Sequence, residues 1–352
     1  MGHTLGNDSV AEGAPPLDRR VFRTRTVVSF LLAFVVLYLV YRQVLDLDWR
    51  EVWVTMRGAN VGLLVLSFVV FYCSYLFRAL RWKALLENVG YDPNTARPIL
   101  STLGLAKIMY LAWFANCITV ARLGDAYRGY LLKRTTGISL MVTLGTVLAE
   151  RLLDLLILVA MLASAALIFY RGTLPPEAAQ PLAISLVLSI VGIFGLLSMR
   201  RLRELVGRIL PKGLYAHYSR FEHGTLGSFR RLPLLIAYSA IGWVIEGTTL
   251  YLTASAVGAP VPVVGALLVA LIAALLTAVP LTPGGLGFTE AGMVLLLQWL
   301  GLDAPSAATI TLLFRFVNYW SIIGLGSVLY AFSIKNVAGA RSVPSGEGSS
   351  KP

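Results

Sequence analysis

Apolar positions in this chain gather in long unbroken runs, not in helical stripes or two-residue alternations. The runs lie at about 26–44, 61–80, 98–119, 139–169, 181–198, 232–256, 263–279, 290–301 and 306–332. Most of them are long enough to carry a helix across about 30 Å of hydrocarbon. A transmembrane barrel would show short alternating segments instead, so the pattern predicts an all-α polytopic membrane protein. One run breaks its own backbone. Between 263–279 and 290–301 lies VPLTPGGLGFTEAG (279–292), where prolines and glycines interrupt the apolar sequence and Glu290 follows at once.

Loop charge arranges these runs. Cytoplasmic loops are enriched in Lys and Arg, and Arg19, Arg20, Arg23 and Arg25 place the N-terminus on that side. Two crossings then return the chain at Arg78, Arg81, Lys83 and Arg97. If 98–119 also crossed, Arg122, Arg128, Lys133, Arg134 and the basic linker 200–231 would all lie outside. If 98–119 instead enters and returns as a re-entrant hairpin, both basic loops are cytoplasmic. The run 290–301 reaches only ~18 Å at 1.5 Å per residue, so with 263–279 it forms a second re-entrant region, dipping from outside. The expectation is about six crossings, both termini cytoplasmic, and two opposed re-entrant hairpins. ARLGDAYRG (121–129) and GGLGFTEAG (284–292) share Leu-Gly at the third and fourth places and Gly at the ninth, which suggests an inverted repeat.

Composition agrees. Of 352 residues 57% are hydrophobic and 14% charged, with mean hydropathy +0.74. The formal charge of +12 reads as loop bias and implies no nucleic-acid partner. Residues 1–25 read as a disordered cytoplasmic tail, 26–334 as one membrane domain, and 335–352 as a flexible cytoplasmic tail. Cys73 and Cys117 lie in apolar surroundings and read as core filler. Neither a metal site nor a cofactor motif is present, there is no nucleotide-binding loop, and the three His (3, 217, 223) fall outside the apolar runs.

Ionisable groups deep in a bilayer are costly and are functional candidates by default. In LAERLLDLL, Glu150, Arg151 and Asp154 share one broad helical face through their i,i+3 and i,i+4 spacings. They either close an internal ion pair, or Arg151 engages a lipid phosphate while a carboxylate holds it or titrates. Arg315, with Asn318 and Tyr319 one turn on, is either a second phosphate contact or a partner for Glu290, Glu246 or Asp154. Arg suits bidentate phosphate contact. In the first hairpin, Asn116, Arg122 and Asp125 flank Gly124, where a re-entrant tip can aim backbone N–H groups and an Arg at an anion. In the second, Pro283, Gly284, Gly285 and Gly287 let the backbone turn, and Glu290 opens the next half-helix, a favourable place for a carboxylate. Broken backbone at membrane depth is tolerated inside protein or beside a water-filled cavity, so a cavity is expected at these tips. Substrate contacts are thus expected from Arg151, Arg315, Arg122, Asn116 and Asn318. Counter-charge or proton coupling is expected from Glu150, Asp154, Glu290 and Asp125.

At RALRWKALLENVG (78–90), Asn116 with ARLGDAYRGYLLKRTTG (121–137), LAERLLDLL (148–156) and LTPGGLGFTEAG (281–292), the chain resembles the lysylphosphatidylglycerol synthase transmembrane family, also described as flippase-like domains. The resemblance implies a lipid translocase fold with opposed re-entrant helices in a cytoplasmic membrane. Full-length members add a soluble aminoacyl-transfer domain after the membrane part; this chain ends about 20 residues after its last apolar run, so the transport half is what the resemblance carries. The expected substrate is a phosphate-bearing lipid: a phospholipid, an aminoacyl-phospholipid or a polyprenyl-phosphate-linked lipid. A lipid-modifying transferase, or a non-catalytic partner of an envelope-lipid enzyme, are the competing readings.

Overall fold

The computed structural model describes residues 48–91, 100–119, 122–172, 176–278 and 282–341. The expected first crossing at 26–44 and both tails lie outside these. Among the described residues every regular element is a helix: α1 (Trp49–Arg57), α2 (Val61–Asn88), α3 (Thr102–Ile118), α4 (Leu123–Thr136), α5 (Leu140–Phe169), α6 (Pro176–Ile209), α7 (Lys212–Gly227), α8 (Leu232–Ala256), α9 (Val263–Ala278), α10 (Phe288–Trp299), α11 (Ala304–Arg315) and α12 (Ser321–Arg341). Five stretches are long and apolar enough to cross a membrane: 61–88, 140–169, 182–209, 232–256 and 304–331. These are the expected crossings after the first. The last is interrupted by a π-helical turn, Phe316–Trp320, where the sequence pattern predicts one plain helix.

The short apolar helices form two hairpins. α9 and α10 pack together on either side of the turn Pro283–Gly285, a helical hairpin over the stretch expected to be the second re-entrant region. The first differs from expectation in extent. Residues 102–118 form one unbroken helix, α3, and the return arm is α4, so the tip lies near residues 119–122 and not within 98–119. The reason is local. Arg122 takes a left-handed backbone conformation (φ 52°), Asn116 Oδ1 accepts the Gly124 N–H at 2.8 Å, and a Cβ on Gly124 would sit 2.0 Å from the Ala112 carbonyl oxygen. Only glycine permits so close a return.

Hydrophobic surface cannot drive helix association within lipid, so close packing and interhelical hydrogen bonds must. α2 and α8 pack along each other, and the Ser67 hydroxyl meets Thr249 O and Thr253 Oγ1, each at 3.0 Å. α5 and α7 approach through glycines: a Cβ on Gly145 would lie 2.3 Å from Phe221 O, and one on Gly224 2.2 Å from Val142 O. The stretch 200–231, expected as a linker, therefore contains a helix docked on α5. Because the obstructing atoms are backbone, Gly145→Ala should force the two helices apart and cost about 1–3 kcal/mol, read as a lower unfolding temperature of the purified protein. Cys73, expected in the core, is exposed on the outer face of α2; Cys117 is buried.

Candidate functional site

Both hairpin tips meet the π-helical turn. The extra residue in such a turn rotates the side chains that follow it, and here Tyr319 is buried with its hydroxyl donating to Cys117 O at 2.9 Å, the Pro283 carbonyl oxygen lying 3.4 Å away as the alternative acceptor. Gly284, at φ +57°, lies so close to that ring that a Cβ would stand 2.2 Å from Tyr319 Cε2. Arg122, at the first tip, donates from Nη2 to Thr277 O at the end of α9 at 3.5 Å. Beneath these contacts is a cavity of about 510 Å³. Its wall carries Arg78, Arg122, Arg151 and Arg315, with Asp154 and Glu246, among apolar side chains from α2, α3, α5 and α9.

The expected substrate contacts Arg151, Arg315, Arg122, Asn116 and Asn318 all line this cavity. Their commitments differ. Arg151 donates to both Asp125 oxygens, from Nε at 3.3 Å and Nη2 at 2.8 Å, and its side chain keeps 27% exposure. Arg315 is more occupied: Nε donates to Glu290 Oε1 at 2.6 Å and Nη2 to Gly284 O at 3.0 Å, with the guanidinium over the Tyr319 ring. Its partner is thus Glu290, out of the three alternatives open in the sequence. Glu290 also accepts the Gly287 N–H at 2.7 Å, so it braces the second tip. Asn318 is half-buried beside Glu246 and donates to it at 3.5 Å.

Asp154 lines the cavity, Asp125 and Glu290 are bonded to its wall arginines Arg151 and Arg315, and Glu150 is bonded to two arginines outside the wall. Glu150 accepts from Arg81 Nη2 at 2.7 Å and from Arg128 Nη2 at 2.5 Å. Arg81 also holds both oxygens of Asp154 and donates to Ser239 Oγ at 2.7 Å. Arg128 lies over the Trp82 ring, 3.8 Å from its centroid. This cluster joins α2, α4, α5 and α8, and Arg81, Arg128 and Glu150 are each 3% exposed or less. Within LAERLLDLL, then, Glu150 and Asp154 bind arginines from other helices, and Arg151 turns to Asp125.

Loop counting assigned Arg78 and Arg81 to a cytoplasmic surface, and there it missed. α2 continues to Asn88, so both lie inside the bundle. Arg78 stacks over Trp113 and reaches Glu246 Oε2 at 3.4 Å. The signal available was spacing: Arg78 and Arg81 stand i,i+3 on a helix that the pattern ended too early.

The two hairpins repeat one construction. Each return helix begins after a residue of positive φ, Arg122 at 52° and Gly287 at 83°. Each then carries an acid in its first turn, Asp125 or Glu290. Each acid binds an arginine on the next long helix, 26 residues on for Arg151 and 25 for Arg315. Each arginine is followed three residues later by a polar cavity residue, Asp154 or Asn318.

Helices too short to cross, tips that meet, and an arginine-lined cavity between them define a polytopic membrane protein with an internal polar site enclosed by paired half-helices. The lysylphosphatidylglycerol synthase TM region profile matches residues 26–326, and the chain belongs to that family. Among curated relatives, a UPF0104 membrane protein of Methanocaldococcus jannaschii is 33% identical over 228 residues, covering 64% of this chain and 96% of that one. A UPF0104 membrane protein of Methanothermobacter thermautotrophicus is 24% identical, covering 88% of this chain and 93% of its own length. The protein named glycosyltransferase AglD of Haloferax volcanii is 24% identical over 82% of this chain, and the match takes in 51% of that relative.

Proposed function

We propose that this chain translocates a phosphate-bearing lipid across a cytoplasmic membrane, with the head group passing through the cavity between the two hairpin tips. The observation that carries the reading is the wall of four arginines between the two hairpin tips, set with two carboxylates and two asparagines among apolar side chains. Arg151 keeps a quarter of its side chain exposed, and Arg122 has only a long bond to a carbonyl, so these two are the first phosphate contacts. Asn116 and Asn318 orient the head group, and the chains trail along apolar neighbours such as Leu155, Leu158 and Leu188. The positive-inside bias supports cytoplasmic termini, and the repeated hairpins support an inverted repeat of the kind secondary transporters use. Family membership supports a lipid as the substrate.

The test is head-group translocation in proteoliposomes carrying a fluorescent phosphatidylglycerol, read by dithionite bleaching. Wild type should expose the inner-leaflet label, and Arg151→Gln should slow this about tenfold or more, since a hydrogen bond to a charged group contributes roughly 1.5–3 kcal/mol. Wild-type kinetics equal to those of empty vesicles would sink the reading. The relative named as a glycosyltransferase keeps a second reading open, in which a group is transferred to a lipid in the cavity with Asp154, the acid of LAERLLDLL that lines it, as base. That reading predicts a lipid of changed mass after incubation, which mass analysis of the extracted lipids would reveal.

A further inference from the structure

Fixed charges around the cavity form a closed account with one remainder. Six arginines line the wall or belong to the ion-pair cluster that holds Asp154 beside it: Arg78, Arg81, Arg122, Arg128, Arg151 and Arg315. Five carboxylates face them, Asp125, Glu150, Asp154, Glu246 and Glu290, and each is bonded to at least one arginine. The five arginines other than Arg122 all take part in those pairs. Arg122 alone has no carboxylate partner among the described residues. It is half-buried, lines the cavity, and makes one 3.5 Å bond to a backbone carbonyl.

Position makes this remainder a site. Arg122 sits at the hairpin tip with φ 52°, a conformation that costs a residue with a Cβ roughly 1–2 kcal/mol. The turn is held there by the Asn116–Gly124 bond and the contact of Gly124 with Ala112. Among the described residues, then, one guanidinium without a carboxylate partner faces a cavity whose other wall arginines are paired. An unpaired charge is costly away from water, and a ligand bearing one negative charge removes that cost.

We infer that the lipid taken by this cavity is a monoanionic phosphodiester whose head group carries no further charge, a hydroxylated polyol or sugar. The inference rests on reading the cavity as the head-group site. A phosphodiester supplies the single negative charge for Arg122 and Arg151. A phosphomonoester or diphosphate would bring excess negative charge that no free arginine meets. An aminoacyl head would add an ammonium group, yet every carboxylate here is already bonded to an arginine, so the amine must break a pair or remain unmet. Neutral hydroxyls need only neutral partners, and Asn116, Thr282 and Thr289 line the wall, with Trp113 and Trp243 offering ring faces. The volume of about 510 Å³ falls within the ~300–1,000 Å³ of small-ligand sites, enough for a head group and the first chain carbons.

The experiment measures thermal unfolding of the full chain in detergent, titrated with four lipids of identical acyl chains. These are phosphatidylglycerol (monoanion, neutral head), lysylphosphatidylglycerol (the same diester with ammonium groups), phosphatidylethanolamine (zwitterion) and phosphatidic acid (phosphomonoester). Phosphatidylglycerol should give half-maximal stabilisation at a concentration roughly tenfold lower than each of the others. In Arg122→Gln that preference should vanish, and in Arg122→Lys, which keeps the charge, it should persist. Equal or tighter binding of lysylphosphatidylglycerol or phosphatidic acid overturns the inference, as does an unchanged preference in Arg122→Gln. The same lipids, labelled, are then followed in the translocation assay. Translocation without this selectivity refutes the inference and leaves the transport reading standing; selective binding without translocation refutes the transport reading alone.

Discussion

Glu150→Ala should lower the stability of the folded chain by about 3–5 kcal/mol, the cost of removing one member of a buried ion pair. Glu150 lies between two arginines, accepting from Arg81 at 2.7 Å and from Arg128 at 2.5 Å. Alanine would leave Arg128 with only its stack on Trp82 and Arg81 with Asp154 and Ser239 alone. No route to water relieves the loss, because both guanidinium groups are buried. Glu150→Gln keeps an acceptor for one arginine and should fall between alanine and wild type. The double change Arg128→Met with Glu150→Met removes both charges and keeps apolar volume, so it should recover much of the loss. Unfolding followed in mixed detergent for all four proteins tests this. A Glu150→Ala midpoint equal to wild type would show that the cluster does not brace the helices.

This expectation changes the part given to LAERLLDLL. The sequence made its face legible, because i,i+3 and i,i+4 spacing and the cost of charge in a bilayer need only the helix. The partners were not legible. Arg81 reaches Glu150 across 69 residues and Asp154 across 73, and no local rule connects such positions. Loop counting misled at this point because it assigns arginines to the surface, while α2 carries Arg78 and Arg81 into the bundle. The second hairpin was read nearly to the residue, since proline and glycine mark its turn in the sequence itself. The first was read short, because Arg122 makes its turn without proline and the decisive contact, Gly124 on the Ala112 carbonyl, lies across the hairpin. The Leu-Gly matches did not mark the repeated construction: they pair Leu123-Gly124 with Leu286-Gly287, two residues out of register with the acids at 125 and 290, which bind Arg151 and Arg315 at nearly equal spacing.

That repeat separates two roles for Glu290. As a proton-coupling group it would need an oxygen free to exchange with the cavity. In the fold both oxygens are engaged, one by the Gly287 N–H at 2.7 Å and one by Arg315 Nε at 2.6 Å, while Arg315 in turn holds the Gly284 carbonyl at 3.0 Å. The carboxylate therefore ties the start of α10 to the end of α11 and fixes the tip on which Tyr319 rests. Glu290→Ala should remove the two bonds that the carboxylate makes and leave Arg315 buried without its charge partner, a loss of about 3–5 kcal/mol. Glu290→Gln keeps one acceptor and should cost about 1–3 kcal/mol, the price of one buried donor left unmet. Transport by the folded fraction separates the roles. A brace predicts that Glu290→Gln in proteoliposomes moves lipid at nearly the wild-type rate per folded molecule, with the same dependence on an imposed pH gradient. A coupling group predicts that glutamine abolishes the response to the gradient while the unfolding temperature stays put. Asp125 occupies the equivalent place against Arg151, which is more exposed, and Asp125→Asn should show the smaller stability loss of the pair, because solvent there can take over part of the lost bond.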